Sequence, residues 1–153
     1  MVSKQLVIPD LKLINSYHDD DVMCEIFAEN ARKHDVKSFD HVLFSYHGLP
    51  VRQLVKGDNC NHCQKAENCC NTLSYKNQYC YSAQCFDTTK VIAKKLGLEE
   101  KDYSICFQSR LGREEWVQPY TTDVLKNAQM LVTKVYWYCV LLSYLIVWRR
   151  PLK

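Results

Sequence analysis

The feature that most constrains this chain is the clustering of its cysteines. The sequence has 153 residues and nine cysteines, and six of the nine fall between positions 60 and 85. Their spacing is C-x2-C-x5-C-C-x9-C-x4-C, formed by Cys60, Cys63, Cys69, Cys70, Cys80 and Cys85. Cysteines that only fill a core would be scattered along the chain. The clustering therefore indicates disulfides, a metal site or a redox site.

Two observations favour metal ligation over disulfides for these thiols. The segment MVSKQLVIPDLKLINSYHDDD lacks the basic start, the long apolar stretch and the cleavage site of a signal peptide, which predicts a reducing cytoplasmic location. Thiolates are soft ligands that select zinc, copper(I) or iron–sulfur centres. A tetrahedral zinc site and a [2Fe–2S] cluster each take four ligands, and the spacing matches neither the zinc-finger nor the plant-ferredoxin pattern. The pattern predicts a metal centre and leaves its kind open.

Hydrophobic periodicity predicts alternating helices and strands. In chain order these are a helix over 20–34, a strand over 41–46, a helix over 85–96 that ends at Gly97, a strand over 103–108, a helix over 123–130 and a strand over 132–139. Residues 52–80 show no sustained period. This order indicates an α/β fold, a parallel sheet flanked by helices. The net charge of +3 is too small to indicate a nucleic-acid partner.

Candidate site residues follow the first two predicted strands. Ligands of parallel α/β sheets bind beyond the carboxyl ends of the strands, where His47 follows VLFSY. A neutral imidazole there can accept a proton or bind a metal, although a histidine that only hydrogen-bonds within a turn is the simpler alternative. Polar and aromatic side chains follow the second strand: Gln108, Ser109, Arg110, Trp116 and Tyr120. They can bind carboxylates and a planar ligand, or form a solvated loop.

The apolar run near the C-terminus admits two interpretations from its residues alone. Residues 135–148, VYWYCVLLSYLIVW, carry no charge, and Arg149 and Arg150 follow them. The run is short for a bilayer span, which needs about 20 residues. Burial as one or two strands of the sheet is therefore favoured over a membrane anchor with a positive flank.

Two long segments of the sequence resemble signature segments of ferrochelatase, the enzyme that inserts ferrous iron into protoporphyrin to form haem. HVLFSYHGLPVRQLVKGD (41–58) and FQSRLGREEWVQPYTTDVL (107–125) are similar to the family's FS-[FY]-HGLP and FQSR-x-G-x-x-x-W-x-x-P-[YQ]-T segments. INSYHDD (14–20) is similar to the family's approach to its hinge helix. The resemblance covers about residues 8–139. It implies a two-lobed, chelatase-like (Rossmann-like) fold and a lyase of the last step of haem biosynthesis.

The resemblance implies that His47 is the family's active-site histidine, assigned to proton abstraction from the porphyrin, to iron binding, or to both. Metallation removes two pyrrole protons, and a neutral imidazole facing the ring can accept one. The resemblance further implies that the porphyrin cleft is lined by Gln108, Ser109, Arg110, Trp116 and Tyr120. The partners are then a porphyrin and Fe²⁺ as substrates, with protoporphyrin and coproporphyrin both open. The resemblance is also compatible with peripheral association with a membrane.

Some bacterial members of the family carry a cysteine-rich insertion. The segment NCNHCQKAENCCNTLSYKNQYCYSAQC (59–85) is similar to it, which raises a [2Fe–2S] cluster above zinc as the cofactor. Four of the six cysteines are expected to be ligands. The expected set is Cys60 or Cys63, Cys69 or Cys70, and both Cys80 and Cys85. Because metallation moves no electrons, a structural or regulatory role is expected for the cluster.

The resemblance also implies a division of the chain. Residues 1–35 are expected to end the first lobe with the hinge helix, 36–139 to form part of the second lobe with the insertion at 57–85, and 140–153 to form an aberrant apolar tail.

A frameshift is a third explanation of the tail. Residues 139–150 can be encoded by codons that, when read in the neighbouring frame, give CPSFVSDCLET. This reading is similar to the family's continuation after the third strand. Without the missing lobes, this chain is expected to be inactive. The alternative function is a small cysteine-ligated iron–sulfur or zinc module without chelatase activity.

Overall fold

The computed structural model describes residues 10–66, 68–131, 135–139 and 146–148. These residues form four α-helices and four strands. In chain order they are α1 (Asp21–Arg32), β1 (His41–His47), α2 (Val51–Lys56), α3 (Tyr81–Leu96), β2 (Tyr103–Gln108), α4 (Thr121–Leu131), β3 (Val135–Cys139) and β4 (Ile146–Trp148). The alternation confirms the predicted α/β class.

The four strands form one sheet in the order β2-β1-β3-β4. β1 pairs in parallel with β2 on one side and with β3 on the other, and α3 and α4 supply the crossover connections. β4 runs antiparallel to β3, with Trp137 opposite Ile146. Only six residues separate β3 from β4, and a parallel connection needs a dozen or more. The antiparallel edge strand therefore adds to the predicted parallel sheet without contradicting it.

The main core lies between β1 and the helices α1 and α3, which pack against each other. Val42, Phe44 and Tyr46 alternate along β1 and share one buried cluster with Ala28 of α1 and Ile92 of α3. Every residue from Val42 to Tyr46 is buried. A strand that lies between two neighbours and is covered on both faces has this continuous apolar pattern. Because β1 is buried along its length, the position of its carboxyl end at the protein surface is fixed.

The ends of α1 and α3 follow the chemistry of their flanking residues. The Asp20 carboxylate accepts a hydrogen bond of 2.8 Å from the backbone N–H of Met23, and so caps the start of α1 near the predicted position. α3 ends at Gly97, whose φ of +69° is the left-handed conformation that a glycine adopts most readily. Its start lies at Tyr81, four residues before the predicted one, so that Cys85, the first residue of the predicted helix, lies one turn inside it.

Residues 52–80, which show no sustained period in the sequence, contain one short helix. α2 begins after Pro50, whose fixed φ suits a helix start, and ends before Gly57. It is too short for a helical period to be visible in the sequence. Within the described part of the segment that follows, residues 58–80 form turns and bends. This segment carries five of the six clustered cysteines.

The apolar run contains two short strands, β3 and β4, as the two-strand interpretation proposed. Residues 140–145 and 149–153 lie outside the described part of the chain. They make up most of the tail that the frameshift would explain. The proposed lobe boundaries remain predictions. None of the helices in the described ranges is both long and apolar enough to cross a bilayer.

Candidate active site

His47 is the last residue of β1 and its side chain is exposed at the carboxyl end of the strand. It lies opposite Gln108, the last residue of β2, in the parallel register. Gly48 then donates a backbone hydrogen bond of 2.8 Å to the carbonyl oxygen of Gln108. The first two strands therefore end at the same level. This is the arrangement that the sequence predicts for His47 and Gln108.

Gly48 is required at this point because the chain passes very close to its neighbours. A Cβ atom at Gly48 would lie 2.9 Å from the carbonyl oxygen of Gln108 and 3.2 Å from the Trp116 ring. Any larger residue would force the two strand ends apart. The glycine of the HGLP segment is thus explained by close backbone approach.

Trp116 stands beside His47, with the two ring centroids 6.4 Å apart and the ring planes at 65°. The indole N–H donates to the backbone oxygen of Leu111 at 3.0 Å, which fixes the ring in its loop. A backbone bridge between Pro50 and Trp116 ties the loop to the residues that follow His47. The indole is half-buried, so it presents flat apolar surface at the strand end.

Arg110 and Tyr120 form a second part of the same loop. The Arg110 guanidinium lies over the Tyr120 ring at 4.9 Å from its centroid, and the Tyr120 hydroxyl donates to the backbone oxygen of Trp116 at 3.2 Å. Ser109, between Gln108 and Arg110, has a φ of +71°, which is uncommon for a residue with a side chain. The structure therefore places Gln108 and Trp116 directly beside His47, and Tyr120 and Arg110 are connected to Trp116 within the loop. Tyr120 supports the loop from within it, whereas Arg110 is exposed.

Sequence reasoning missed two supports of this site. The Tyr81 hydroxyl donates a hydrogen bond of 2.8 Å to the backbone oxygen of His47. Arg52 of α2 forms an ion pair of 2.8 Å with Glu114 in the Trp116 loop. Both pairs join residues far apart in the chain, and no local pattern could have revealed them. They connect the strand end to α3 and to α2.

The cysteine-rich segment encloses a cavity of about 380 Å³, here called the thiol cavity. Five of the six clustered cysteines line it: Cys60, Cys63, Cys69, Cys70 and Cys80. Leu49, Leu54 and Tyr81 form part of the same wall. The thiol cavity is therefore adjacent to the residues that follow His47.

Two polar side chains shape the loops around the thiol cavity. The Asp58 carboxylate accepts backbone hydrogen bonds from Cys60, His62 and Cys63, and these bonds lower the pKa of that carboxyl. The buried Asn77 side chain donates to the backbone oxygens of Cys69 and Thr72, at 2.8 and 3.0 Å. In each case a side chain supplies the hydrogen-bond partner for backbone groups in these turns.

The thiols of the cavity interact with one another. The Cys70 thiol donates to the Cys80 sulfur, which lowers the pKa of Cys80 to about 6 and raises that of Cys70. Backbone N–H groups of Ala83 and Ser82 at the start of α3 also favour the Cys80 thiolate. Burial raises the pKa of Cys63 to about 11. These contacts therefore favour the thiolate form of Cys80, which is the form that binds soft metals.

Cys85 differs from the other five clustered cysteines. It lies within α3 in the buried core cluster and is absent from the lining of the thiol cavity. Burial raises the pKa of its thiol to about 12. Over the described ranges, no group of three or more His, Cys, Asp or Glu side chains is arranged to hold a metal ion. The lining cysteines suit a soft metal by their chemistry, but their sulfurs are not arranged around one point.

Comparison with known proteins identifies the family to which this arrangement belongs. The ferrochelatase family model matches residues 1–141. The chain is 42% identical over 123 residues to a ferrochelatase of Coxiella burnetii and 41% identical over 113 residues to one of Pseudomonas fluorescens. These matches cover 80% and 72% of this chain, and 33% of each relative.

The chain belongs to the ferrochelatase family. It spans about a third of the length of the curated relatives it matches. The matched range includes the His47 strand, the Trp116 loop and the entire cysteine-rich segment. The thiols therefore lie inside a ferrochelatase-family domain, and the alternative of an independent metal-binding module is not supported.

Proposed function

We propose that this chain contributes to the insertion of ferrous iron into a porphyrin, the reaction that forms haem. The observation that carries the proposal is the exposed His47 imidazole beside the Trp116 ring at the carboxyl ends of β1 and β2. Family membership supports the same reaction. Iron and porphyrin are then the substrates, and the described residues form one part of the site at which they meet.

The side chains at the strand end match the chemical needs of this reaction. Metallation of a porphyrin releases two pyrrole protons, and a neutral imidazole within reach of the ring accepts one of them. The flat Trp116 surface suits a planar aromatic macrocycle. The exposed Arg110 guanidinium suits the carboxylates at the porphyrin's edge. The three groups thus have distinct roles, namely proton acceptance, stacking and charge pairing.

Porphyrin binding by the 153-residue chain tests this proposal. Protoporphyrin is added to the reduced protein without oxygen, and binding is followed by the change in porphyrin absorption. We expect the unaltered chain to bind and Trp116→Leu to bind more weakly. His62→Ala is the matched control, since His62 lies in the cysteine-rich segment. An unaltered chain that leaves the porphyrin spectrum unchanged would contradict the proposal.

We propose in addition that the cysteine-rich segment holds a [2Fe–2S] cluster, with zinc as the alternative. Cys60, Cys63, Cys69, Cys70 and Cys80 line one cavity, whereas the sixth candidate, Cys85, would have to leave the core to join them. When bound, the cluster supplies cross-links between the loops, because metallation itself moves no electrons. Reduced thiols of this kind support a cytoplasmic location.

The visible spectrum of anaerobically purified protein tests the cluster proposal. We expect a coloured protein that loses its colour in Cys80→Ser and keeps it in the control variant Cys24→Ala, since Cys24 is buried in α1. A colourless protein with stoichiometric zinc would exclude the iron–sulfur assignment.

A further inference from the structure

Tyr120 lies at the point where β2, the loop of the candidate active site and α4 meet. The Phe107 N–H of β2 donates to the Pro119 carbonyl oxygen at 2.8 Å, and Phe107 forms a parallel bridge with Tyr120. The Tyr120 carbonyl oxygen then accepts the Asp123 N–H at 3.0 Å, in the first turn of α4. The backbone of Tyr120 is therefore held by a strand on one side and by a helix on the other.

The Tyr120 hydroxyl makes two hydrogen bonds to the backbone of Trp116. It donates to the Trp116 carbonyl oxygen at 3.2 Å and accepts from the Trp116 N–H at 3.4 Å. A phenol oxygen can donate one hydrogen bond while it accepts another, so both contacts exist together. The indole N–H of Trp116 is bonded separately, to the Leu111 carbonyl oxygen at 3.0 Å. Tyr120 thus fixes the backbone that carries the indole.

The ring of Tyr120 holds a second group of the proposed site. The Arg110 guanidinium lies over this ring, with 4.9 Å between the guanidinium carbon and the ring centroid. Arg110 is exposed, and attraction to the aromatic face restricts its long side chain. A guanidinium held over a ring keeps N–H donors at its edge, which suit a carboxylate. The ring therefore places the cation without consuming its capacity to bind an anion.

We infer that Tyr120 is a positioning residue that fixes Trp116 with its hydroxyl and Arg110 with its ring. The inference rests on the proposed function, in which Trp116 stacks on the porphyrin and Arg110 pairs with its carboxylates. Because both groups contact one side chain with a fixed backbone, the distance between them is set before the ligand arrives. A planar macrocycle with carboxylates at its edge then meets both groups without further ordering of the loop.

Two porphyrins that differ only in charge separate the two contacts of Tyr120. Protoporphyrin and its dimethyl ester are added to the reduced chain without oxygen, in the same neutral detergent, and binding is followed by absorption. We expect the unaltered chain to prefer the diacid by about two- to fivefold, since an exposed ion pair contributes little. Arg110→Gln should lose this preference and bind the ester as the unaltered chain does.

Two substitutions of Tyr120 divide the effect of its hydroxyl from that of its ring. Tyr120→Phe keeps the ring and should weaken the binding of both porphyrins by the same factor, about two- to tenfold, with the diacid preference retained. Tyr120→Leu should weaken both and also lose the preference. Tyr17→Phe, which removes the hydroxyl of an exposed tyrosine before α1, is the matched control and should change neither quantity.

The indole ¹⁵N–¹H resonance of Trp116 reports the positioning without any porphyrin. The resonance is assigned by its loss in Trp116→Leu, and we expect Tyr120→Phe to shift it and Tyr17→Phe to leave it in place. An unshifted resonance in Tyr120→Phe would overturn the inference, as would a diacid preference that survives in Tyr120→Leu. Since Tyr120→Phe retains the ring, the first of these tests stays in force if Tyr120→Leu does not fold.

The outcomes for positioning and for function can be told apart. A chain whose Trp116 resonance shifts in Tyr120→Phe but which binds neither porphyrin retains the positioning and contradicts the proposed function. A chain that binds both porphyrins, with affinity and resonance unchanged in Tyr120→Phe, contradicts the positioning alone.

Discussion

At the scale of single residues, Gly48 is the glycine at which an added side chain would meet the closest contacts. In Gly48→Ala the new Cβ would meet the Gln108 carbonyl oxygen at 2.9 Å and the Trp116 ring at 3.2 Å, so backbone must move. Overpacking of this kind costs about 1–3 kcal/mol of the free energy of unfolding. Chemical denaturation should show the loss. Gly57→Ala is the matched control, because its nearest contact is an ordinary 3.5 Å, and an equal loss in both variants would refute the steric argument.

The Cys80 thiol should react at a lower pH than the other thiols of its cavity. The hydrogen bond from Cys70 and the N–H groups at the start of α3 lower its pKa to about 6. The reactive thiolate is therefore present above that pH and is lost as the pH falls through it. Burial raises the pKa of Cys63 to about 11, so its rate should still rise at alkaline pH.

Brief iodoacetamide treatment of the reduced, metal-free chain, followed by peptide mass spectrometry, measures both thiols in one sample. We expect alkylation of Cys80 to reach half its maximal rate near pH 6. A Cys80 rate that begins to rise only above the pH of an ordinary thiol would contradict the described geometry.

His47 and its neighbours on β2 could be predicted from sequence because their positions depend on a local rule. A polar residue that directly follows a buried strand of a parallel sheet lies at the carboxyl edge, whatever the rest of the chain does. Tyr81 could not be predicted as part of the site. Its role depends on where α3 packs relative to β1, and that packing is set by contacts between residues far apart in sequence.

At the scale of elements, prediction succeeded where a period extends over several turns or where a strand is continuously apolar. The predicted bounds of β2 equal the observed ones, and those of β1 differ by one residue, His47. The start of α3 was missed because Tyr81 to Gln84 show no helical period distinct from the irregular segment before them. α2 was missed because it makes fewer than two turns.

The start of α1 depends on a single capping side chain. Asp20→Ala removes the acceptor of the Met23 N–H and leaves that donor without its side-chain partner. Such a loss costs about 1 kcal/mol of the free energy of unfolding. Asp20→Asn keeps an oxygen in the same place and should retain most of the stability. Urea denaturation of the three proteins checks this, and equal midpoints for Ala and Asn would show that the cap contributes little.

At the scale of the whole molecule, the order of the strands determines where chemistry can occur. β1 lies inside the parallel part of the sheet, so the residues that follow it are flanked by the ends of β2 and β3. The cysteine-rich segment leaves from this same point and returns at α3, which packs behind β1. The insertion is therefore anchored at both ends beside His47. Its sequence position between the two ferrochelatase-like segments indicated this proximity, but not the hydrogen bond between Tyr81 and the His47 carbonyl.

The same topology predicts how the stability of the chain is distributed. The backbone of β1 is paired on both sides, by β2 and by β3, and its residues from Val42 to Tyr46 are buried. Exchange of these amide hydrogens requires disruption of the sheet itself. Residues 10–16 have no secondary structure, and Leu13 among them is 84% exposed.

Among the residues that the structure describes, hydrogen–deuterium exchange should therefore be slowest in peptides over 41–47 and 89–96, and fastest over 10–16. Denaturant at low concentration should accelerate exchange in residues 58–80 before it affects β1, because turns held by side chains such as Asp58 and Asn77 open locally. Peptides over 41–47 that exchange as fast as those over 10–16 would mean that this chain does not form the sheet. In that event His47 would have no fixed position, and the strand-end site could not exist in this polypeptide.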